Sequence, residues 1–155
     1  LKFQQVPLYE LVRQVVEETR GLGTPIQVLS QEPDHDVNAE AADIYLHRVL
    51  QNLAGNAVRY AVSRIRISAG VEKGMAYICV EDDGPGIPEK DREKIFEPFA
   101  RLDDSRTRAS GGYGLGLSIV SRIAFWFSGN IMVDQSPDLG GARFIMRWPA
   151  KRPKA

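Results

Sequence analysis

Residues 46–61 constrain the fold more than any other stretch, because their apolar residues recur at intervals of three and four. This spacing places the side chains on one face of a helix and predicts an amphipathic helix. The members of the apolar stripe are Leu46, Val49, Leu50, Leu53, Ala57 and Tyr60. A helix with such a stripe is expected to pack against a sheet in a globular core.

A polar line borders this stripe. Asn52 and Asn56 are four residues apart and Arg59 follows three later, so the three share a helix face. Half-buried amide and guanidinium groups need partners, because an unpaired one costs free energy. Two interpretations remain open: a polar border on a surface helix, or a ligand line in which amide oxygens bind a hard cation and the guanidinium binds phosphate.

Charge and composition exclude several classes of protein. The 155 residues include 20 basic and 20 acidic side chains, so nothing indicates bulk attraction to nucleic acid or to a membrane surface. The single Cys79 excludes an internal disulfide scaffold, and no apolar run is long enough to span a membrane. Because the sequence opens at Leu1 without a methionine, we interpret it as part of a longer protein.

The remaining periodicity predicts helices at 8–20 and 115–127, a short helix within 88–97, and strands at 25–30, 64–68, 75–80, 131–133 and 142–148. The apolar face predicted for the helix at 115–127 is a spacing of four through Leu115, Ile119, Ile123 and Phe127. Hairpin turns join most of the strands. We therefore predict an α/β (α+β) two-layer sandwich, whose mixed, mostly antiparallel sheet is covered on one face by about three helices. A single domain is expected over residues 1–150, followed by a loose basic tail at 151–155.

A tight turn follows the predicted strand 75–80, where two glycines flank a proline and let another group approach the backbone. Asp82 lies where the strand ends. An ionised carboxylate accepts hydrogen bonds, and adenine presents an amine donor where guanine presents an acceptor oxygen. The segment is therefore either an acidic turn or an acceptor that selects adenine.

The glycine-rich stretch 111–118 runs directly into the helix predicted at 115–127. Its backbone amides and the helix dipole favour an anion such as phosphate, although the same pattern also serves as a tightly packed helix start. It is not a Walker loop, since no lysine followed by serine or threonine is present.

A charged segment lies between these two candidate sites, with Phe96 and Phe99 as possible anchors at one end. A loop of this length inside a compact domain is usually functional or disordered. We interpret it as a lid that is mobile without ligand. Arg101, Arg106 and Arg108 could reach phosphate from it, whereas a solvated loop is the default interpretation of each arginine singly.

These four segments, in this order, resemble the ATP-binding catalytic domain of two-component sensor histidine kinases. That domain shares a superfamily with gyrase, the heat-shock chaperone ATPases and the mismatch-repair ATPases. The likeness extends from Val6 to Trp148. The matching positions are Asn52, Asn56, Ala57, Arg59 and Tyr60; Asp82, Gly84 and Gly86; Phe96 and Phe99; and Gly112, Gly114, Leu115, Gly116 and Leu117.

The resemblance implies ATP and Mg²⁺ as cofactors. It implies that Asn56 ligates the magnesium, that Asn52 lies nearby and that Arg59 contacts phosphate, which makes these three the candidate catalytic residues. Asp82 would bind the adenine amine, and Ile87 would form a wall beside the base. The other expected nucleotide contacts are Tyr60, Gly84, Gly86, Phe99, Arg101, Gly112, Tyr113, Gly114, Leu115, Gly116 and Leu117.

The resemblance also implies a partner, because such a kinase phosphorylates a histidine on a helical hairpin that dimerises. Neither His35 nor His47 has that context. The γ-phosphate is therefore expected to pass to the dimerisation domain of the parent protein, and from there to an aspartate of a response regulator. We expect a cytoplasmic, monomeric domain that contacts no nucleic acid, in a parent protein anchored in the inner membrane by upstream segments.

Two alternatives are a non-catalytic ATP-sensing module and an ATPase clamp of the chaperone or mismatch-repair type. The intact asparagine and glycine motifs disfavour the first. Clamp ATPases usually carry a water-activating glutamate at the position of Asn52, and an amide cannot act as that base. Gly55 also departs from many relatives, which have a polar residue there; glycine costs up to ~1 kcal/mol of helix stability.

Overall fold

The computed structural model describes residues 1–31, 37–98 and 116–152. Several residues singled out by the sequence lie outside these ranges: His35, Phe99, Arg101, Arg106, Arg108, Gly112, Tyr113, Gly114 and Leu115. The proposed roles of these residues therefore stay predictions.

The described residues form seven strands and three α-helices. The strands are β1 (Gln4–Pro7), β2 (Gln27–Ser30), β3 (Asn38–Ala41), β4 (Arg64–Glu72), β5 (Met75–Asp82), β6 (Asn130–Gln135) and β7 (Ala142–Pro149). The helices are α1 (Leu8–Gly21), α2 (Asp43–Tyr60) and α3 (Gly116–Trp126). No described helix has the length and apolar character needed to cross a membrane.

The main sheet has five strands in the order β2-β4-β5-β7-β6. Strand β2 runs parallel to β4, and all other neighbours are antiparallel. This arrangement confirms the predicted mixed, mostly antiparallel sheet. The hairpin β4–β5 and the hairpin β6–β7 lie side by side. Because β5 and β7 are antiparallel neighbours, the C-terminal end of β5 lies next to the N-terminal end of β7.

The helices cover one face of this sheet, as the apolar periodicity predicts. On β5 the alternate residues Ala76, Ile78 and Val80 belong to the core, whereas Glu81, which follows Val80 and points to the other face, contacts Arg66. The whole predicted stripe of α2 is buried. The result is the two-layer sandwich expected from the sequence.

A second, two-stranded sheet of β1 and β3 was not predicted. Each strand has only four residues, too few for a visible alternation of polar and apolar side chains. Tertiary contacts stabilise the pair: the Glu40 amide donates to the Ala150 carbonyl at 2.8 Å, and the Trp148 indole N–H donates to the Glu40 carbonyl at 2.9 Å.

The short helix predicted within 88–97 is not a single α-helix. The structure has two short 3₁₀ helices there, Glu89–Asp91 and Lys94–Phe96, and the only residue within them that is buried is Ile95. One buried residue is not an amphipathic stripe, so little packing energy favours a continuous α-helix.

The apolar face of α3 also differs from the predicted one. A spacing of four through Ile119 was expected, but Ile119 is 37% exposed. The helix instead buries Leu117, Val120, Ile123, Ala124 and, just beyond its end, Phe127. Because a helix has 3.6 residues per turn, a strict spacing of four rotates off the core face, whereas alternating steps of three and four remain on it.

Candidate functional site

The polar line of α2 and the first turn of α3 line one pocket. Its walls are formed by Gln51, Asn52, Gly55, Asn56, Arg59, Gly116 and Leu117. The structure thus brings the asparagine motif next to the described end of the second glycine-rich motif, two segments that are distant in sequence. We call this cleft the α2–α3 pocket.

The side-chain oxygen Oδ1 of Asn56 is the notable atom of this pocket. Among the residues that the structure describes, it is the one buried side-chain oxygen or nitrogen atom without a hydrogen-bond partner. A buried polar atom left unpaired costs about 1–3 kcal/mol, so its retention here indicates a ligand. Amide oxygens are ligands that Mg²⁺ and Ca²⁺ accept, so the donor fits a hard cation.

A metal site in this pocket would rest on amide oxygens rather than on a carboxylate or thiolate cluster. Within residues 1–31, 37–98 and 116–152, no group of three or more His, Cys, Asp or Glu side chains could hold a metal ion. The protein would thus supply few of the ligands. Such a site suits a cation that arrives together with an anionic ligand.

Two features of the pocket favour that anion. Arg59 lies on the last turn of α2 and contributes a guanidinium, which binds phosphate oxygens well. Helix α3 begins inside the pocket at Gly116, and the first amides of a helix carry partial positive charge. The pocket can therefore neutralise a phosphate from two sides.

Asp82 lies at the end of β5, where it is 2% exposed. Its Oδ1 atom accepts hydrogen bonds from the amides of Gly84 at 2.8 Å and Ala142 at 3.2 Å. Its carbonyl oxygen accepts the amide of Gly141 at 3.0 Å. The orientation of this carboxylate is therefore set by backbone donors of its own turn and of β7.

Two glycines allow the elements around Asp82 to touch. A Cβ atom on Gly84 would overlap the carbonyl oxygen of Tyr60, and a Cβ atom on Gly141 would overlap Oδ1 of Asp82. The turn after β5 consequently contacts the C-terminal end of α2. This contact brings Tyr60, Asp82 and Gly84 together.

Gly86 and Ile87 line a different pocket from the asparagines. Its lining residues are Pro85, Gly86, Ile87, Pro88, Lys90, Asp91, Arg92, Gln135, Gly140 and Gly141. The carbonyl of Ile87 accepts the Nε–H of Arg92 at 3.1 Å. The described residues therefore divide several of the predicted nucleotide contacts between two clefts.

Phe96, the described member of the phenylalanine motif, packs edge-to-face on the core ring of Phe144, with centroids 6.1 Å apart. This contact agrees with its expected role as an anchor. The residues that would close the lid and most of the second glycine motif lie within 99–115, outside the described ranges.

Sequence reasoning missed the role of Asp83. Its Oδ1 accepts the amides of Val62, Ser63 and Arg64 at 2.9, 3.0 and 3.2 Å, and its Oδ2 accepts the Ser63 hydroxyl at 2.5 Å. Burial alone would raise the pKa of Asp83, but these hydrogen bonds to the ionised form outweigh it and lower the pKa to about 2. No local signal distinguishes such an anchor from an acidic turn residue.

Comparisons with known proteins identify the family of this chain. Residues 41–152 match the family described as histidine kinase-, DNA gyrase B-, and HSP90-like ATPase. The sensor protein RstB of Escherichia coli K12 is 52% identical over 104 residues, which cover 67% of this chain and 24% of RstB. The sensor histidine kinase WalK of Bacillus subtilis is 36% identical over 113 residues, 70% of this chain and 18% of WalK. The chain thus spans about a quarter or less of the length of these relatives.

Solved structures extend the likeness over the whole chain. The catalytic domain of the histidine kinase ThkA superposes with a TM-score of 0.81 at 29% identity and covers 98% of this chain and 100% of that domain. Full-length ShkA, solved in complex with AMPPNP, has a TM-score of 0.79 at 29% identity, covering 100% of this chain and 32% of ShkA. The chain is homologous to sensor histidine kinases and belongs to the histidine kinase-, DNA gyrase B- and HSP90-like ATPase family.

Proposed function

We propose that this chain binds Mg-ATP in the α2–α3 pocket and donates the γ-phosphate to a histidine on the dimerisation domain of a parent sensor kinase. The observation that carries the proposal is the orphaned Oδ1 of Asn56, which lies in one pocket with Arg59 and the start of α3. A buried amide oxygen beside two anion-binding groups suits a cation–phosphate ligand.

The residues of the pocket would bind and orient the phosphates. Asn56, with Asn52 one turn earlier, would hold the cation, which supplies charge neutralisation to the phosphate chain when bound. Arg59 and the amides at the start of α3 would neutralise further phosphate charge. Phosphoryl transfer depends mainly on such positioning and electrostatic stabilisation, so the domain needs no covalent chemistry of its own.

The Asp82 turn would bind the base. Backbone amides hold the Asp82 carboxylate in place through Oδ1, and this carboxylate is the group we assign to the adenine amine. Tyr60 and the Gly84 backbone lie beside it, and Gly86 and Ile87 follow on the far side of the turn. We infer that the nucleotide spans from this turn to the start of α3.

The phosphate acceptor would lie outside this chain. His47 is engaged with α1, since its Nε2 atom is 2.8 Å from Oε1 of Glu18. The homologous sensor kinases are several times longer than this chain. We infer that the acceptor histidine belongs to the dimerisation domain of a membrane-anchored parent, and that a response regulator receives the phosphate from it.

Asn52 argues against the alternative of an ATPase clamp, which usually carries a water-activating glutamate at this position. An amide cannot activate water, so hydrolysis without a protein acceptor is expected to be slow. A purely ATP-sensing module would bind ATP equally well, and only transfer of the phosphate distinguishes the two.

The experiment mixes this chain with the isolated dimerisation domain of the parent protein and γ-labelled ATP. We expect acid-labile label on the dimerisation domain alone, and no label on this chain incubated by itself. Label on His35 or His47, phosphate release without transfer, or binding without transfer would each contradict the kinase proposal. Asn56→Ala serves as the binding-deficient control.

A further inference from the structure

Asp83 caps the start of β4 with its side chain. The last paired residues of the β4–β5 ladder are Ile65 and Asp82, so Arg64 and Asp83 would come next in register. Instead of a further backbone pair, one carboxylate oxygen accepts the amides of Val62, Ser63 and Arg64. A single side chain therefore holds three consecutive backbone amides where α2 connects to β4.

This connection begins directly at the nucleotide end of α2. The last helical hydrogen bond runs from the Ala61 amide to the Ala57 carbonyl, and the chain held by Asp83 starts at the next residue. On its other side, the Ser63 carbonyl accepts the Gln27 amide of β2 at 2.8 Å. Movement of the connection would thus displace the last turn of α2, which carries Arg59 and Tyr60.

Asp83 is also the central residue of the turn that orients Asp82. The Gly84 amide donates back to Oδ1 of Asp82, which makes residues 82–84 a side-chain-closed turn. The Gly84 position abuts the Tyr60 carbonyl. Asp83 therefore joins the two walls of the proposed base site, namely the carboxylate of Asp82 and the end of α2.

We propose that Asp83 is a positioning residue that determines base selectivity, because it holds the Asp82 carboxylate at a fixed place relative to the last turn of α2. The inference rests on the proposed function, since it concerns the same nucleotide site. Asp83 touches no reacting group; it acts through Asp82 and Tyr60.

The acceptor geometry predicts which substitutions are tolerated. In Asp83→Asn the carbonyl oxygen can accept the same three amides, and the NH₂ group can donate to the Ser63 hydroxyl, which also accepts hydrogen bonds. Asp83→Ala removes all four acceptor contacts. The asparagine variant should therefore retain the selectivity of the site and the alanine variant should lose it.

The test measures the dissociation constants of ATP and GTP, with magnesium, for the wild-type chain and its variants by calorimetry. We expect Asp83→Ala to weaken ATP about tenfold and GTP much less, so that the ATP preference falls, while Asp83→Asn stays within about threefold of wild type. The matched control is Glu40→Ala, which removes another carboxylate that accepts a backbone amide, that of Arg152, at the far end of β7.

The outcomes separate the inference from the function on which it rests. If the wild-type chain does not bind ATP in preference to GTP, the proposed function fails. The positioning role is wrong if the wild type prefers ATP and Asp83→Ala keeps that preference. It is also wrong if Asp83→Asn loses as much of the ATP preference as Asp83→Ala does. Should Asp83→Ala not fold, Asp83→Glu replaces it: moving the acceptors by one methylene should lower the ATP preference, and an unchanged preference overturns the inference.

Discussion

The amide of Ala142 donates to Oδ1 of Asp82 across 3.2 Å, although sixty residues separate them in the chain. With the Gly84 amide on the same oxygen, this bond distinguishes the two carboxylate oxygens. Oδ1 faces these backbone donors, and our proposal assigns recognition of the base to the carboxylate that they hold in place. The relationship predicts how a substitution at Asp82 changes selectivity.

Asp82→Asn is expected to keep its carbonyl oxygen toward the two amides and to place its NH₂ group where the second oxygen was. A donor there would oppose the adenine amine and suit the acceptor oxygen of guanine. We expect ATP affinity to fall at least tenfold and the ATP to GTP ratio to shrink in competitive binding. An unchanged ratio would show that the base is read elsewhere.

Asn56→Ala should weaken Mg-ATP far more than metal-free adenosine, because the substitution removes the orphaned oxygen and leaves the base site intact. The fold should be retained, since Asn56 flanks the buried stripe of α2. Calorimetry with both ligands checks this, with the exposed Arg48→Ala on the same helix as the control. Equal losses for both ligands would remove Asn56 from the cation site.

Gly55→Ala should raise the free energy of unfolding by about 0.5–1 kcal/mol, because glycine is entropically costly inside a helix. A Cβ atom there meets no heavy atom within 4 Å, so alanine fits without strain. Gly129→Ala is the opposite case, since its Cβ would overlap the Arg147 carbonyl. Urea denaturation should show a higher free energy of unfolding for Gly55→Ala and a lower one for Gly129→Ala than for the wild type. A lower value for Gly55→Ala would contradict the geometry.

Arg66→Ala should destabilise the domain by about 3 kcal/mol, because it strips the cation from a buried carboxylate. Glu81 is 4% exposed and accepts Arg66 Nη2 at 2.8 Å, with the Ser136 hydroxyl at 2.9 Å on its other oxygen. The double variant Arg66→Met, Glu81→Met should recover most of that loss in denaturation measurements. If the double variant is as unstable as Arg66→Ala, removal of the cation is not the cause.

The stabilising contribution of Asp83 should be lost in acid. Its folded pKa, lowered to about 2 by hydrogen bonds from Ser63, Arg64 and Val62, lies below the ordinary value of 3.8. The ionised form therefore stabilises the fold above about pH 4, and the contribution disappears as the pH falls toward 2. The difference in unfolding free energy between wild type and Asp83→Asn should shrink over this interval. A difference independent of pH would contradict the lowered pKa.

Local periodicity determined most of the secondary structure and the core. The stripes of α1 and α2 follow from residues spaced by three and four, and their burial agrees with the prediction. The motif of Asn52, Asn56 and Arg59 was likewise predictable from the sequence. Residues spaced by four and three lie on one face of a helix, whatever the tertiary fold. The family followed from the order of four such local motifs.

Other features were decided by tertiary structure alone. The pairing of β1 with β3, the two 3₁₀ helices and the buried face of α3 depend on neighbours distant in sequence. The same holds for the site: Asp83 becomes an anchor only because the start of β4 lies beside the end of β5, and Asp82 is oriented only because β7 brings the Ala142 amide to it. Periodicity indicates which face of a helix or strand is apolar. Strand register and packing determine which backbone amides contact a given carboxylate, and no local sequence pattern encodes them.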